Sequence, residues 1–431
     1  MKNLKELIRK AIVFIITLEA KAIVNKYRPK IVVVTGSVGK TSAKDAVYAA
    51  LSTNFFVRRS EKSFNSDIGV PLTVLGVPNG WANPVTWLKN SIEGLALIIL
   101  PNRYPEWLVV EVGADRPGDI SRSLSWLSPA IVVATRFPDV PVHVEFYKDP
   151  EAVVREELAP VSWLSEEGTL VANADDVRAS AAQTNAGTRI LYGFGKDAML
   201  KGSKFHTSSR NNVPSGISFD VSYGEERAHI ALPGVAGRQH TYAILAGLAV
   251  AVGVGVPLEQ AAQAFEKHDP PHGRMHLIPG IKGSVIIDDS YNASPIATEE
   301  GLQALADIPH SGRRIAVLAD MLELGSFSVQ EHRRIGGVAA SSSDMLVTAG
   351  VRARDIAYGA REAGMNAEMV HECEKGEDAT AYLKEIVATG DVLLIKGSQS
   401  TRMEKVVKAL MAEPEKAQEL LVRQDTEWSK R

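Results

Sequence analysis

Cysteine is almost missing from this chain: Cys373 stands alone among 431 residues. A single thiol excludes an intramolecular disulfide, a cysteine-rich zinc site and iron–sulfur ligation, and it suits a reducing cytoplasm. Charge imbalance is missing as well. The 48 Lys and Arg nearly cancel the 51 Asp and Glu, leaving a net charge of -3, so no basic surplus points to a nucleic acid held through its phosphates. A membrane-length apolar run is not found at the N-terminus either. "AIVFIITL", residues 11–18, is bracketed by Lys10 and Glu19, far short of the roughly 20 residues that cross a bilayer. No small-residue cleavage site follows it, which argues against a signal peptide. The expectation is a helix packed on the protein body, with a peripheral membrane or protein contact through that helix as the alternative. Internal repeats and low-complexity tracts are absent.

What is present is enough apolar residue for more than one core: 45% of the chain, against a prior of about 150 residues per domain. Short β-branched runs, "IVVVTG", "EWLVVEVG", "AIVVATRF" and "GTLVANAD", alternate with helical patterns. Each is apolar on both faces, as a buried parallel strand is. Near residues 200–235 the pattern becomes strict alternation, the mark of a small antiparallel element. "HDPPHG", residues 268–273, reads as a linker. After it strand and helix alternation restarts with "SVIIDDS", "RRIAVLAD", "DMLVTAG" and "DVLLIKGS". The expected division is an N-terminal helix (1–26), a central α/β nucleotide-binding domain with a mostly parallel sheet (27–270), a second, Rossmann-like α/β domain (271–412) and a charged tail helix (413–431).

"VVVTGSVGKTS", residues 32–42, has the physics of a phosphate loop. Gly36 and Gly39 let backbone N–H groups face an anion, Lys40 adds positive charge, Thr41 can ligate magnesium, and the following helix points its positive end at the phosphates. Ser37 and Ser42 complete the loop's polar lining. The general pattern G-x-x-x-x-G-K-[ST] needs a glycine at position 34, where this chain has Val34, so the loop is a variant.

That variant resembles the "TGTNGKT" loop of the Mur ligases, the ATP-dependent amide ligases of peptidoglycan synthesis. "NSDIGVPLTVL" (65–75), "EVGADRPGDI" (111–120), "DDSYNASP" (288–295), "DMLELG" (320–325) and "KGSQSTRMEKVV" (396–407) are similar, in order, to signatures of its D-alanyl-D-alanine-adding branch. The resemblance spans about residues 30 to 410. It implies a carboxylate–amine ligase working through an acyl phosphate, with ATP and Mg2+, on a UDP-muramoyl peptide and D-alanyl-D-alanine. It further implies that Lys40 lies on the phosphates and that Thr41 and Glu111 hold one magnesium. His143 would serve a second magnesium. Where many relatives carry a carbamoylated lysine, this chain has Glu157 in "VVREELAPV", already a carboxylate and a hard oxygen ligand; the alternative is that Glu157 or Glu156 is a helix-surface charge. At the other end of the nucleotide, either Gln239 or His240 would face adenine, with Asn292 and Asp289 from the hinge side and Arg274 reaching the phosphates. Lys396 and Ser398 would border the amine substrate, and His332 is given only a structural role.

Two other readings are weaker. His268, His272 and His276 are spaced by four, but Pro270 and Pro271 prevent the continuous helix that would align them on a metal. "GFGKDA" at Gly193 imitates a dinucleotide turn without its helix. Functions still open are the same fold on other substrates, such as polyglutamate-type or lipid-linked acceptors, and a nucleotide-binding regulator that ligates nothing. Relatives of the resembled branch usually place a UDP-binding domain of about a hundred residues before the phosphate loop, whereas this sequence offers a helix. The UDP moiety would then be held by the central domain or a partner, or the acceptor is not a UDP-sugar.

Overall fold

The computed structural model describes residues 2–61, 64–424 and 428. Among these, fifteen strands form two mostly parallel sheets. The first comprises β1 (Lys30–Thr35), β2 (Val57–Arg59), β3 (Trp107–Glu111), β4 (Ile131–Ala134), β5 (Thr169–Asn173), β6 (Thr188–Gly193), β7 (Leu200–Arg210), β8 (Val213–Tyr223) and β9 (Glu226–Pro233). Their order is β2-β3-β1-β4-β5-β6-β7-β8-β9, parallel from β2 to β7. The alternating stretch near 200–235 forms β7–β9, antiparallel to one another and continuous with this sheet rather than a separate unit.

Both faces of the sheet are covered, which is why its strands are apolar on both sides. Val32, Val34 and Val109 pack against α2 (Lys40–Ser52) and against the long apolar helix Gln239–Gly253. Ile31, Val33 and Val110 face the opposite way, onto α1 (Lys2–Tyr27) and α3 (Gly69–Leu75), beside which α4 (Pro84–Ile99) packs. On this face also lie α5 (Asp119–Ser123) and α6 (Pro150–Leu158). No helix of the described residues is long and apolar enough to cross a membrane.

The second sheet contains β10 (His276–Pro279), β11 (Val285–Asp289), β12 (Arg314–Ala319), β13 (Met345–Ala349), β14 (Val370–Cys373) and β15 (Val392–Lys396), in the order β10-β11-β15-β12-β13-β14. Only β10 is antiparallel to its neighbour. In both sheets the strands that carry the functional candidates end at Thr35, Glu111, Asp289 and Lys396, the carboxyl ends where open α/β sheets bind ligands.

The tail corrects one expectation. In place of a surface helix over 413–431, Pro414–Lys416 forms a 3-10 turn and Ala417–Leu420 a single helical turn. Ala417 and Leu421 drop into the core of the second sheet, and Arg423, at a left-handed φ of 60°, turns the chain back onto Glu404 at 3.2 Å. Two apolar residues four apart thus anchor the segment instead of letting it stand in solvent. Residues 425–427 and 429–431 of that expected helix lie outside the described residues.

Candidate active site

The phosphate loop sits between β1 and α2 and is held by the chain just beyond β4. Ser37 N–H donates to the Arg136 carbonyl just beyond β4 at 2.9 Å. Gly36 has φ of 130°, and a Cβ there would lie 2.2 Å from Thr135 Oγ1, so only glycine passes this point without moving the strand end. Gly39, at φ 85°, precedes the first turn of α2. The first turn of α2 therefore points its backbone N–H groups at the loop.

Glu157 is brought to this loop by α6. Asp149 caps that helix by accepting from Ala152 N–H, with Pro150 at its first position, a pairing that fixes where the helix starts. The two adjacent glutamates then diverge. Glu156 accepts from the Ile120 and Ser121 N–H groups at the start of α5, at 2.9 and 3.1 Å. Glu157 is 3% exposed; its carboxylate accepts from Ser37 Oγ and lies 3.5 Å from Lys40 Nζ. Thr35 Oγ1 donates to the Glu157 carbonyl. Neither is a solvated surface charge: Glu156, half-buried, caps α5, and Glu157 belongs to the loop.

Glu111 closes β3 directly opposite Val34 of β1. It is 2% exposed; Asn65 Nδ2 is 3.5 Å from Oε1, and Oε2 has no hydrogen-bond partner. A buried carboxylate oxygen without a partner is costly in a finished fold, and its chemistry suits a cation ligand. Lys44, one turn beyond Lys40 on α2, supplies part of the compensation. Its ammonium donates to the Ser60 carbonyl at 2.8 Å and pairs with Asp45 at 3.3 Å. Burial lowers its pKa, opposed by the Asp45 and Glu111 carboxylates.

His143 is held differently from the magnesium set in which it is expected. Its backbone is left-handed (φ 66°), and its Nδ1 lies 2.8 Å from Glu323 of the second sheet's "DMLELG" loop, with Asp115 at 3.5 Å from Nε2. Burial works to lower its pKa, but the Glu323 and Asp115 carboxylates outweigh it and the net shift is upward. Among the described residues no three His, Cys, Asp or Glu side chains converge as a metal cage. The structure groups Ser37, Lys40 and Glu157, places Glu111 on Asn65, and leaves His143 on Glu323.

A pocket beside the loop runs from Val38 and Gly39 past Thr135 and Asn173 to Tyr192, Gln239 and Tyr242. Gln239 lines it. His240 is turned into the interior, where burial lowers its pKa to about 3 and keeps it neutral. Asn292 and Asp289 are not on this pocket. Gln399 N–H is 3.3 Å from Asn292 Oδ1, and Lys396 Nζ donates to Asp289 and to the Asn292 carbonyl. Ser398 Oγ accepts from Leu322 N–H at 2.9 Å. His332 accepts at Nε2 from Met321 N–H and lies 2.7 Å through Nδ1 from the Ser328 carbonyl, so it braces the "DMLELG" loop.

Besides His143 on Glu323, two further contacts link the two sheets across the site. Arg274 reaches Thr41 Oγ1 at 3.3 Å, its guanidinium 4.3 Å over the Tyr291 ring; Arg136, next to the loop, pairs with Glu300 from the second sheet's first helix. Lys44, Asn65, Arg136, Glu300 and Glu323 are site residues missing from the sequence expectations. Three had a local signal: Asn65 opens "NSDIGVPLTVL", Glu323 lies within "DMLELG", and Arg136 stands two residues past the end of β4. The decoys are structural: His276 Nε2 is 2.9 Å from the Pro270 carbonyl, and the "GFGKDA" turn is held by Asp175, which accepts from the Phe194 and Gly195 N–H groups.

Comparison with known proteins bears on this arrangement. The Mur ligase middle domain model matches residues 34–251, and the Mur ligase glutamate ligase domain model matches residues 273–399. The UDP-N-acetylmuramoyl-tripeptide--D-alanyl-D-alanine ligase of Bacillus subtilis is 28% identical over 409 residues, which are 92% of this chain and 79% of that protein. The enzyme of the same name from Escherichia coli is 28% identical, covering 88% and 76%. Among solved structures, MurF from Thermotoga maritima in complex with ADP superposes with a TM-score of 0.74 at 21% identity, covering 94% of this chain and 84% of that one. MurF from Acinetobacter baumannii does so with a TM-score of 0.74 at 20% identity, covering 91% and 79%. With the middle-domain model alone matching over half of its length, the chain belongs to the Mur ligase family.

Proposed function

We propose that the chain adds D-alanyl-D-alanine to a UDP-muramoyl tripeptide in the cytoplasm, through an acyl phosphate made from ATP. Membership of the family makes it an ATP-dependent ligase that forms amide bonds. The observation that carries the reading is the pairing of a phosphate loop with a buried carboxylate, Glu111, that keeps one oxygen without a hydrogen-bond partner at the neighbouring strand end. The relatives' shared name supplies the substrates.

In the first step an acceptor carboxylate oxygen bonds to the γ-phosphorus of ATP and ADP leaves. In the second the amine attacks the acyl carbon, phosphate leaves, and the amine loses a proton. Both partners of the first step are anions, so the chain's task is positioning and charge neutralisation. Lys40 and the α2 N-terminus stabilise the charge gathering between the β- and γ-phosphates. Gln239 orients the base in its pocket. Arg274 and the Arg136–Glu300 pair link closure of the second domain to nucleotide binding, which excludes water from the acyl phosphate. Magnesium, when bound, would supply further neutralisation; Thr41 and Glu111 would hold one ion and Glu157 would face a second, while His143, held on Glu323, stands apart from it. Few protein ligands are needed, because magnesium keeps waters and phosphate oxygens.

The test is ATP-dependent phosphate release with the acceptor, D-alanyl-D-alanine and bicarbonate each omitted in turn. Release is expected to need both substrates and to be unchanged without bicarbonate, since Glu157 stands where a carbamate would otherwise form. Strong stimulation by bicarbonate contradicts the role given to Glu157. Release indifferent to both substrates overturns the proposal.

A further inference from the structure

On the face of the first sheet away from the nucleotide pocket, α4 turns an unbroken aliphatic stripe to solvent. Val85, Leu88, Ile92, Leu95 and Ile99 recur at three- and four-residue steps and are 48% to 74% exposed, a row of about 21 Å at helical rise. A stripe with this spacing normally faces a core. α1 carries a second one: Leu7, Phe14, Ile15 and Leu18 are 46% to 65% exposed, while Ile16, Ala20 and Ile23 on its other side are buried.

The two helices run parallel. Glu19 of α1 lies beside Gly94, where an added Cβ would come within 2.5 Å of its carboxylate, and Lys26 donates to the Leu97, Ile98 and Leu100 carbonyls. With 100° per residue, the exposed stripe of α1 lies to one side of its contact with α4, and that of α4 lies to the matching side. Together they form one continuous apolar surface two helices wide. Large exposed patches of this kind mark interaction sites.

Charge identifies the occupant. α1 holds six basic residues against two acidic ones in a chain whose net charge is -3. Lys10 and Lys21, both exposed, line the outer edge of its stripe, and Trp81, 54% exposed, stands just before α4. An apolar face with a basic margin and a flanking Trp is the composition of a helix lying in a membrane interface. We propose that α1 and α4 dock this protein, without crossing, on an anionic lipid bilayer. Arg9 of α1 holds Asp67 at 2.7 Å, two residues from the Asn65 that touches Glu111, which ties the docking helix to one loop of the active site.

The experiment is flotation of the full chain with phosphatidylcholine vesicles, with and without about a third phosphatidylglycerol. Binding is expected with the anionic vesicles and to be at least about tenfold weaker with neutral ones. The double substitution Leu88→Glu and Ile92→Glu should abolish it while leaving ATP turnover in solution and the melting temperature unchanged. Lys10→Glu with Lys21→Glu should weaken anionic binding alone. No binding to either vesicle overturns the proposal. So does a dimer in solution that the Leu88→Glu and Ile92→Glu pair dissociates, since a second copy would then cover the face.

Discussion

Replacing Lys40 with methionine is expected to lower kcat/KM for ATP-dependent phosphate release by about 10³-fold, or about 4 kcal/mol of transition-state stabilisation. The ammonium is the one side-chain cation inside the loop, its Nζ donating to the Gly36 carbonyl beside Glu157. In the transition state its charge acts on oxygens that become more negative as the bond to the γ-phosphorus is transferred. Methionine keeps much of the stem's packing and removes the charge together with its bond to the Gly36 carbonyl. The fold should survive, because the loop stays pinned by Ser37 N–H on Arg136 and by Thr35 on Glu157. Steady-state kinetics with an unchanged thermal melt is the readout. Activity within tenfold of the parent would remove Lys40 from the chemistry.

Glu111→Gln should separate activity from stability. The carboxylate is buried with one oxygen unpartnered, so neutralising it relieves a desolvation cost in the protein alone. Its value lies in holding a cation during turnover. Activity is expected to fall about 10²- to 10³-fold, with the melting temperature unchanged or raised, the pattern of a residue kept for function against stability. Lys44 limits the gain, since it loses a neighbouring opposite charge. A variant that is clearly less stable and retains activity would make Glu111 a structural partner of Lys44.

Much of this architecture is legible in the sequence because the physics is local. The core strands announce themselves as runs apolar on both faces, and the phosphate loop by its glycines between a strand and a helix. Glu111 is legible for the same reason, as a charge at the end of a buried strand. Pairings across the chain are not. Glu323 meets His143 from 180 positions away, and Arg136 meets Glu300 from 164; no spacing rule joins such residues, which only the docking of two sheets brings together. Gln239 and His240 are adjacent, and which of them faces the pocket depends on how their helix is rotated, set by tertiary packing. Glu156 and Glu157 differ by the same kind of rotation. The tail reads as a solvated helix because its charges outnumber Ala417 and Leu421, yet those two side chains decide where it goes.

The most direct measurement of the central claim follows oxygen. With the acceptor carboxylate enriched in oxygen-18, turnover through an acyl phosphate must carry a labelled oxygen into the released phosphate, because the acceptor oxygen bonded to phosphorus leaves with it when the amine attacks. Label in the phosphate, dependent on both substrates and lost in Lys40→Met, is the predicted result. Phosphate released without label would mean that water attacks ATP directly, and it would contradict the ligase mechanism.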